Sequence, residues 1–278
     1  MSNETEAQAA AAHFRSEHHL GNGPLGDLAT LIEQTTGHQV AVVKVDDPNE
    51  HGLTMWDPKR NVTFIAVACT PNFMRQRSSL AHELAHALFR DWSTREADQL
   101  SNRSPSEIRA DAFARHFLLP VDGLRELLGA PTGDLDPIDF SQVIQDFRVS
   151  PSLASIALCS AGFISEETKK VWMKTTTSAW ATRFGWIDHY RSLQIESQCP
   201  RVPQRLLAAA VRGYEAGVVT VATIATLRGI DADTARQELE DAGIVPTPPL
   251  VRETSANEIH NVEVDFSDWP AELEDDKE

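Results

Sequence analysis

The sequence predicts an α+β fold, in which a small antiparallel sheet precedes a mostly helical region. β-Branched residues are concentrated in HQVAVVKVDD at 38–47 and NVTFIAVACT at 61–70, and both segments are typical of strands. SSLAHELAHALFRDW at 78–92 then changes to the apolar spacing of a helix. After Gly133 the pattern is helical almost throughout.

The elements that precede this helix follow from spacing and turn residues. Residues 1–20 are helical in character, although their start is polar. An amphipathic helix that Gly37 can end follows, because four apolar residues recur at helical spacing: Leu25, Leu28, Leu31 and Ile32. Between the two strand segments, GLTMWDPKRN at 52–61 predicts a third short strand that ends in a turn at Asp57-Pro58. An antiparallel sheet of about three strands is therefore expected.

Two helices are expected after the sheet. The first should begin near Ser78 or Ser79, because serine is a good N-cap residue. The second, EIRADAFARHFLL at 107–119, follows a polar loop and can be capped by Ser104 or Ser106. Both helices carry polar residues within an apolar pattern, which makes them the first place to look for a functional site.

The C-terminal half contains two similar segments. Residues 137–164 predict two short helices joined at 148–150, and residues 219–245 align with them after one inserted residue. We interpret the pair as a repeated helix-turn-helix-like unit.

The length of 278 residues corresponds to about two domains. The composition changes again near the end, where the last 28 residues hold ten acidic and two basic side chains and are expected to be a solvated, disordered tail. We therefore expect a first domain, a helix-turn-helix-like region, a C-terminal helical domain and the tail at 1–125, 126–200, 201–250 and 251–278.

The charge and the cysteines limit the functional classes. A net charge of -16 disfavours direct nucleic-acid binding, because the chain repels phosphate backbones. No apolar segment approaches the length of a membrane span, and no export signal is visible. Three widely separated cysteines are expected to be free thiols, which points to a reducing cytoplasm: Cys69, Cys159 and Cys199.

The sequence His82-Glu83-Leu84-Ala85-His86 contains the residues that indicate a metal site. Because it lies in a helical pattern, His82 and His86 are one turn apart on the same face and can bind one metal ion. Glu83 lies about 100° around the helix, beside the metal, where its carboxylate can hydrogen-bond a bound water. The motif therefore predicts a catalytic metal site.

A catalytic zinc normally has three protein ligands and an open position for water. Glu107 is the best candidate for the third ligand, because it opens the next helix. Asp111 lies four residues further on the same face and can accept the N–H of a ligand histidine. The competing interpretation, a surface helix whose histidines only pack or hydrogen-bond, explains this combination poorly.

The chemistry expected of such a site is metal-assisted hydrolysis, with Glu83 as the proton acceptor and later donor. The sequence does not choose the oxyanion-stabilising group among four candidates: His116, Tyr190, His189 and Tyr214. A partly exposed helix histidine is the better interpretation of His116. The strand at 62–68 is either an edge strand that accepts an extended peptide or an ordinary sheet strand.

The motifs resemble those of the ImmA/IrrE metallo-endopeptidases. RSSLAHELAHALF at 77–89 and EIRADAFARHFLLP at 107–120 carry the resemblance, which extends less specifically over about residues 10 to 165. The family's following segment is similar to FRVSPSLASIALCSAGFI at 147–164, where Cys159 stands in place of an arginine found in many members.

This resemblance implies a minimal zincin-like catalytic domain. It implies that His82, His86 and Glu107 are the metal ligands and that Glu83 is the general base and acid. Zn²⁺ is the expected ion, with Mn²⁺ as an alternative. The family typically cleaves a helix-turn-helix repressor and so releases stress-response or mobile-element genes, which makes such a repressor the expected partner.

Two other functions remain alternatives. One is a DNA-binding or protein-binding regulator that uses the helix-turn-helix-like segments, although these carry more acidic than basic residues. The other is a protein in which the metal captures a partner without hydrolysis, although capture alone does not require Glu83.

Overall fold

The computed structural model describes residues 2–45, 52–91, 104–131 and 135–247. Its N-terminal half contains helices α1 (Asn3–Glu17) and α2 (Leu28–Thr36), strands β1 (Gln39–Val43), β2 (Gly52–Asp57) and β3 (Val62–Ala68), and helices α3 (Phe73–Phe89) and α4 (Pro105–Leu118). The remaining helices are α5 (Val121–Leu128), α6 (Pro137–Phe147), α7 (Pro151–Ser160), α8 (Glu166–Trp172), α9 (Thr177–Arg183), α10 (Ile187–Glu196), α11 (Gln204–Glu215), α12 (Val221–Arg228) and α13 (Ala232–Asp241). The fold is thus α+β and mostly helical, as expected.

The sheet is mixed, so the expectation of a wholly antiparallel sheet was wrong. Its order is β1-β3-β2, with β2 antiparallel and β1 parallel to the central strand β3. A four-residue turn at 58–61 joins β2 to β3 and forces an antiparallel pair. Eight residues separate β1 from β2, which is long enough for the two strands to occupy opposite edges of the sheet.

One face of the sheet is buried and supports α3. Val40 of β1 and Ile65 of β3 are partners in the register and are both fully buried, whereas β2 is the more exposed strand. Helix α3 packs against β2 and β3, and α4 packs against α3. Helix α3 thus contacts the sheet and α4.

Helix α3 begins earlier than expected. Its N-cap is Asn72 and its first residue is Phe73, so the expected start at Ser78 or Ser79 was wrong. The added turns hold the polar residues Gln76 and Arg77, which are buried and make hydrogen bonds to backbone carbonyl oxygens of other segments. The guanidinium of Arg77, for example, donates to the carbonyl oxygens of Leu25 and Gly26 at 2.9 and 2.6 Å.

Helix α1 packs along α4. Its small and aromatic residues are buried, and the ring of Phe14 meets the ring of Phe117 edge-on at 5.4 Å. Arg15, also buried, donates to the carbonyl oxygen of Phe117 at 2.8 Å. The N-terminal helix is therefore part of the same core as α3 and α4.

The two helix pairs α6–α7 and α12–α13 have similar connections. The first helix of each pair ends at a residue with left-handed backbone, Arg148 at φ 53° and Gly229 at φ 65°. The pairs belong to different cores, because Ile144 lies in the large core and Ile224 lies in a small cluster with Ala210 and Leu239. The expected domain limits at 125, 200 and 250 stay predictions, and the acidic tail lies outside the described residues.

Among the described residues, no helix combines the length and the apolar character that crossing a membrane requires.

Candidate metal centre

The structure brings His82, His86 and Glu107 together. One potential ligand atom from each lies within 4.8 Å of the others. Nε2 of His82 is 3.1 Å from Nε2 of His86 and 3.1 Å from Oε2 of Glu107, and Nε2 of His86 is 3.4 Å from Oε1 of Glu107. Two imidazole nitrogens and a carboxylate oxygen facing one point fit a divalent cation such as zinc.

Local sequence explains how two helices create this cluster. The histidines are four residues apart on α3 and therefore project from the same face. Helix α4 begins with Ser104 as its N-cap and Pro105 at its first position, both favourable there, and this start places Glu107 in the first turn. Because α4 packs against α3, the first turn of α4 presents the carboxylate to the histidine pair.

Asp111 lies beside His82, the position expected for a carboxylate that orients a ligand histidine. Its Oδ1 is 3.0 Å from Nδ1 of His82. Burial disfavours the charged ring, but the hydrogen bonds to Asp111 and Glu107 raise the pKa of His82 from 6.5 to about 9. In the metal-free protein, His82 is therefore protonated at neutral pH.

A second carboxylate near the cluster, Asp91, was not found from the sequence. Its Oδ2 is 3.6 Å from Nδ1 of His86, and its backbone N–H donates to the carbonyl oxygen of His86 at 3.0 Å. Arg109 of α4 donates to both carboxylate oxygens of Asp91, at 2.9 and 3.0 Å. No local pattern points to Asp91, because it lies beyond the end of α3.

Glu83 is buried against strand β2. The hydroxyl of Thr54 lies 2.7 Å from its Oε2 and 2.9 Å from its backbone carbonyl oxygen. Gly52 leaves room for the carboxylate, since a Cβ at that position would lie 2.7 Å from Cγ and 2.8 Å from Cδ of Glu83. Sequence reasoning missed both residues, because a threonine and a glycine in a strand carry no signal of their distant partner.

The strand at the edge beside Glu83 is β2. Of the two interpretations of the strand at 62–68, the structure supports the ordinary sheet strand, because β3 is the central strand. Leu53 and Met55 of β2 are half exposed and point to the face opposite Thr54. Within the described residues, no strand pairs with the outer edge of β2, and this edge lies next to the candidate general base.

The four candidates for an oxyanion-stabilising group make their described contacts elsewhere or are exposed. His116 pairs with Glu4 at 2.8 Å, and the ring of the buried Tyr190 contacts Trp186. Tyr214 packs on the small C-terminal cluster, and His189 is exposed on α10. Within the described residues, none of the four has a contact with the ligand cluster. The interpretation of His116 as a helix histidine without a catalytic role agrees with its pairing to Glu4.

Comparison with protein families adds an independent observation. Residues 34–158 match the family model of the IrrE N-terminal-like domain, a peptidase family. The matched range runs from the end of α2 into α7 and contains both histidines, Glu83 and Glu107, whereas α1 lies outside it. A comparison with curated proteins gave no match.

Proposed function

We propose that the protein is a zinc-dependent endopeptidase, because residues 34–158 match the family model of the IrrE N-terminal-like domain, a peptidase family. The observation that carries the proposal is that potential ligand atoms of His82, His86 and Glu107 lie within 4.8 Å of one another. The buried Glu83 follows His82 directly in the sequence. This set supplies three ligands and leaves a coordination position for water, as in catalytic zinc sites.

In this proposal Glu83 transfers the proton and Thr54 orients Glu83. His82, His86 and Glu107 would hold a zinc ion, which would supply an activated water and polarise the scissile carbonyl. Glu83 takes a proton from the water and later donates it to the leaving amine. The hydroxyl of Thr54 holds one oxygen of that carboxylate, so the general base keeps a single orientation.

The substrate binds along β2 in this proposal. An edge strand offers unpaired backbone groups, and an extended peptide can add to it by main-chain hydrogen bonds. Because Thr54 of the same strand contacts Glu83, a peptide paired with β2 is held in a fixed relation to the general base. The exposed side chains of Leu53 and Met55 then lie beside the bound peptide.

We propose a helix-turn-helix repressor as the protein substrate and the cytoplasm as the location. The resemblance of the two helical motifs to the ImmA/IrrE peptidases supports the substrate. The free cysteines are compatible with a reducing compartment. Cleavage of such a repressor would derepress stress-response or mobile-element genes.

The test is cleavage in solution. The purified chain is incubated with Zn²⁺ or Mn²⁺ and with a repressor encoded beside its gene, and the products are identified by mass spectrometry. We expect a single cut that requires the metal and is lost in Glu83→Gln. Equal cleavage by this variant, or a stoichiometric complex without products, would reject the proposal.

A further inference from the structure

We propose that Arg109 is a positioning residue for the metal centre, which holds Asp91 beside His86 and so connects helix α1 to the ligand set. The inference rests on the metal centre of the proposed function. It adds a role for the N-terminal helix, which lies outside the range of the family match.

The first step concerns the ring of His86. When Nε2 of a histidine binds a metal, the proton of the neutral ring is on Nδ1, which then needs an acceptor. Nδ1 of His86 is buried and has no hydrogen-bond partner within the described residues. The carboxylate of Asp91, 3.6 Å away, is placed to become that acceptor after a small movement.

The second step concerns what holds Asp91. Asp91 lies two residues after the end of α3, and a carboxylate there would be free to turn towards solvent. Arg109 prevents this, because its Nη2 contacts both oxygens at 2.9 and 3.0 Å. The guanidinium is itself fixed, since it lies 4.0 Å from the centre of the Phe89 ring. Arg109 therefore determines where the carboxylate of Asp91 lies.

The third step leads to α1. Nη1 of Arg109 lies 3.1 Å from Oε1 of Glu6, so one guanidinium joins carboxylates from two separate parts of the chain. The series Glu6, Arg109, Asp91, His86 thus runs from the N-terminal helix to a candidate ligand.

The structure provides a matched control. Arg115, also on α4, pairs with Glu4 of α1 at 2.6 Å. That pair joins the same two helices. Its described contacts include neither Asp91 nor the candidate ligands His82 and His86. Arg115→Met therefore removes an ion pair between α1 and α4 of the same type, without removing the contact that holds Asp91.

The experiment measures zinc affinity by competition with a chromophoric chelator. We expect Asp91→Asn and Arg109→Met each to weaken zinc binding by about 10- to 100-fold, as is typical when a group that orients a ligand is lost. Arg109→Lys should recover part of the loss, and Arg115→Met should change affinity by less than about threefold. The absorption bands of the cobalt-substituted protein should shift in the first two variants only.

Three outcomes would overturn the inference. Unchanged affinity in both Asp91→Asn and Arg109→Met would show that Asp91 does not orient His86. An equal loss in Arg115→Met would show that only the packing of α1 matters. If the wild-type chain binds no zinc, the inference fails together with the proposed function, whereas zinc binding with unchanged variants rejects the inference alone. Should Arg109→Met not fold, the near-isosteric Asp91→Asn decides the question.

Discussion

The hydroxyl oxygen of Thr54 lies 2.7 Å from Oε2 of Glu83 and 2.9 Å from the carbonyl oxygen of the same residue. One side chain of the edge strand β2 thus contacts both the carboxylate of the candidate general base and the backbone that carries it. The carboxylate is held between α3 and the strand along which we propose that the substrate binds.

The contact predicts a specific kinetic effect for Thr54→Val. Valine keeps the shape of threonine but cannot donate to the carboxylate, and a hydrogen bond to a charged group contributes about 1.5–3 kcal/mol. We expect kcat to fall by about 10-fold or more, while KM and zinc affinity stay nearly unchanged. Steady-state kinetics on a peptide containing the cleaved sequence measure this. Thr54→Ser should retain most of the activity, and an unaltered kcat in Thr54→Val would contradict the role.

Gly52→Ala is expected to separate activity from stability. The new Cβ would lie 2.7 Å from Cγ of Glu83, so the carboxylate side chain must turn away. Because the three atoms nearest to the new Cβ all belong to the Glu83 side chain and none to the backbone, the melting temperature should change little, whereas kcat/KM should fall at least about 10-fold. Gly26→Ala is the control, since nothing lies within 4 Å of a Cβ built there. A normal kcat/KM in Gly52→Ala would show that the carboxylate does not need this position.

Removal of the metal should destabilise the fold. A ligand that binds only the folded state stabilises it by about 4 kcal/mol when its free concentration is 1,000 times Kd. We therefore expect the melting temperature to rise with zinc and to fall when a chelator is added, as followed by calorimetry. His86→Ala should lose this response, and His13→Ala, which changes an exposed histidine of α1, should keep it. The same response in both variants would exclude His86 as a ligand.

Zinc binding should release a proton. The pKa of His82 in the metal-free protein is raised from 6.5 to about 9, so the ring carries a proton at pH 7 to 8. A metal ion binds the neutral ring and must displace this proton. Apparent zinc affinity should therefore increase as the pH rises towards 9 and level off above that value.

Calorimetry in buffers with different ionisation enthalpies measures the released protons. Asp111→Asn weakens one of the hydrogen bonds that raise this pKa, so it should release fewer protons at pH 8 than the wild type. Zinc affinity that does not depend on pH between 7 and 9 would contradict the protonated state of His82.

Features encoded by neighbouring residues were predictable. The four-residue spacing of His82 and His86 defines one face of a helix. The sequence also limited the N-cap of α4 to Ser104 or Ser106, and the structure has Ser104. The short turn after Asp57 likewise predicts the antiparallel pair of β2 and β3. In each case the information lies within one turn or one hairpin, where backbone geometry alone relates the residues.

The remaining features depend on residues that are distant in sequence. The parallel pairing of β1 with β3 depends on partners that no periodicity encodes. The same holds for the burial of Arg77, a residue of α3. Thr54 meets Glu83 across 29 positions, and Arg109 meets Glu6 across 103. The sequence by itself identified the side chains that can bind a metal ion, which are His82, His86 and Glu107. Only the packed structure decided which side chains orient them, because those contacts form when separate helices and strands are brought together in one core.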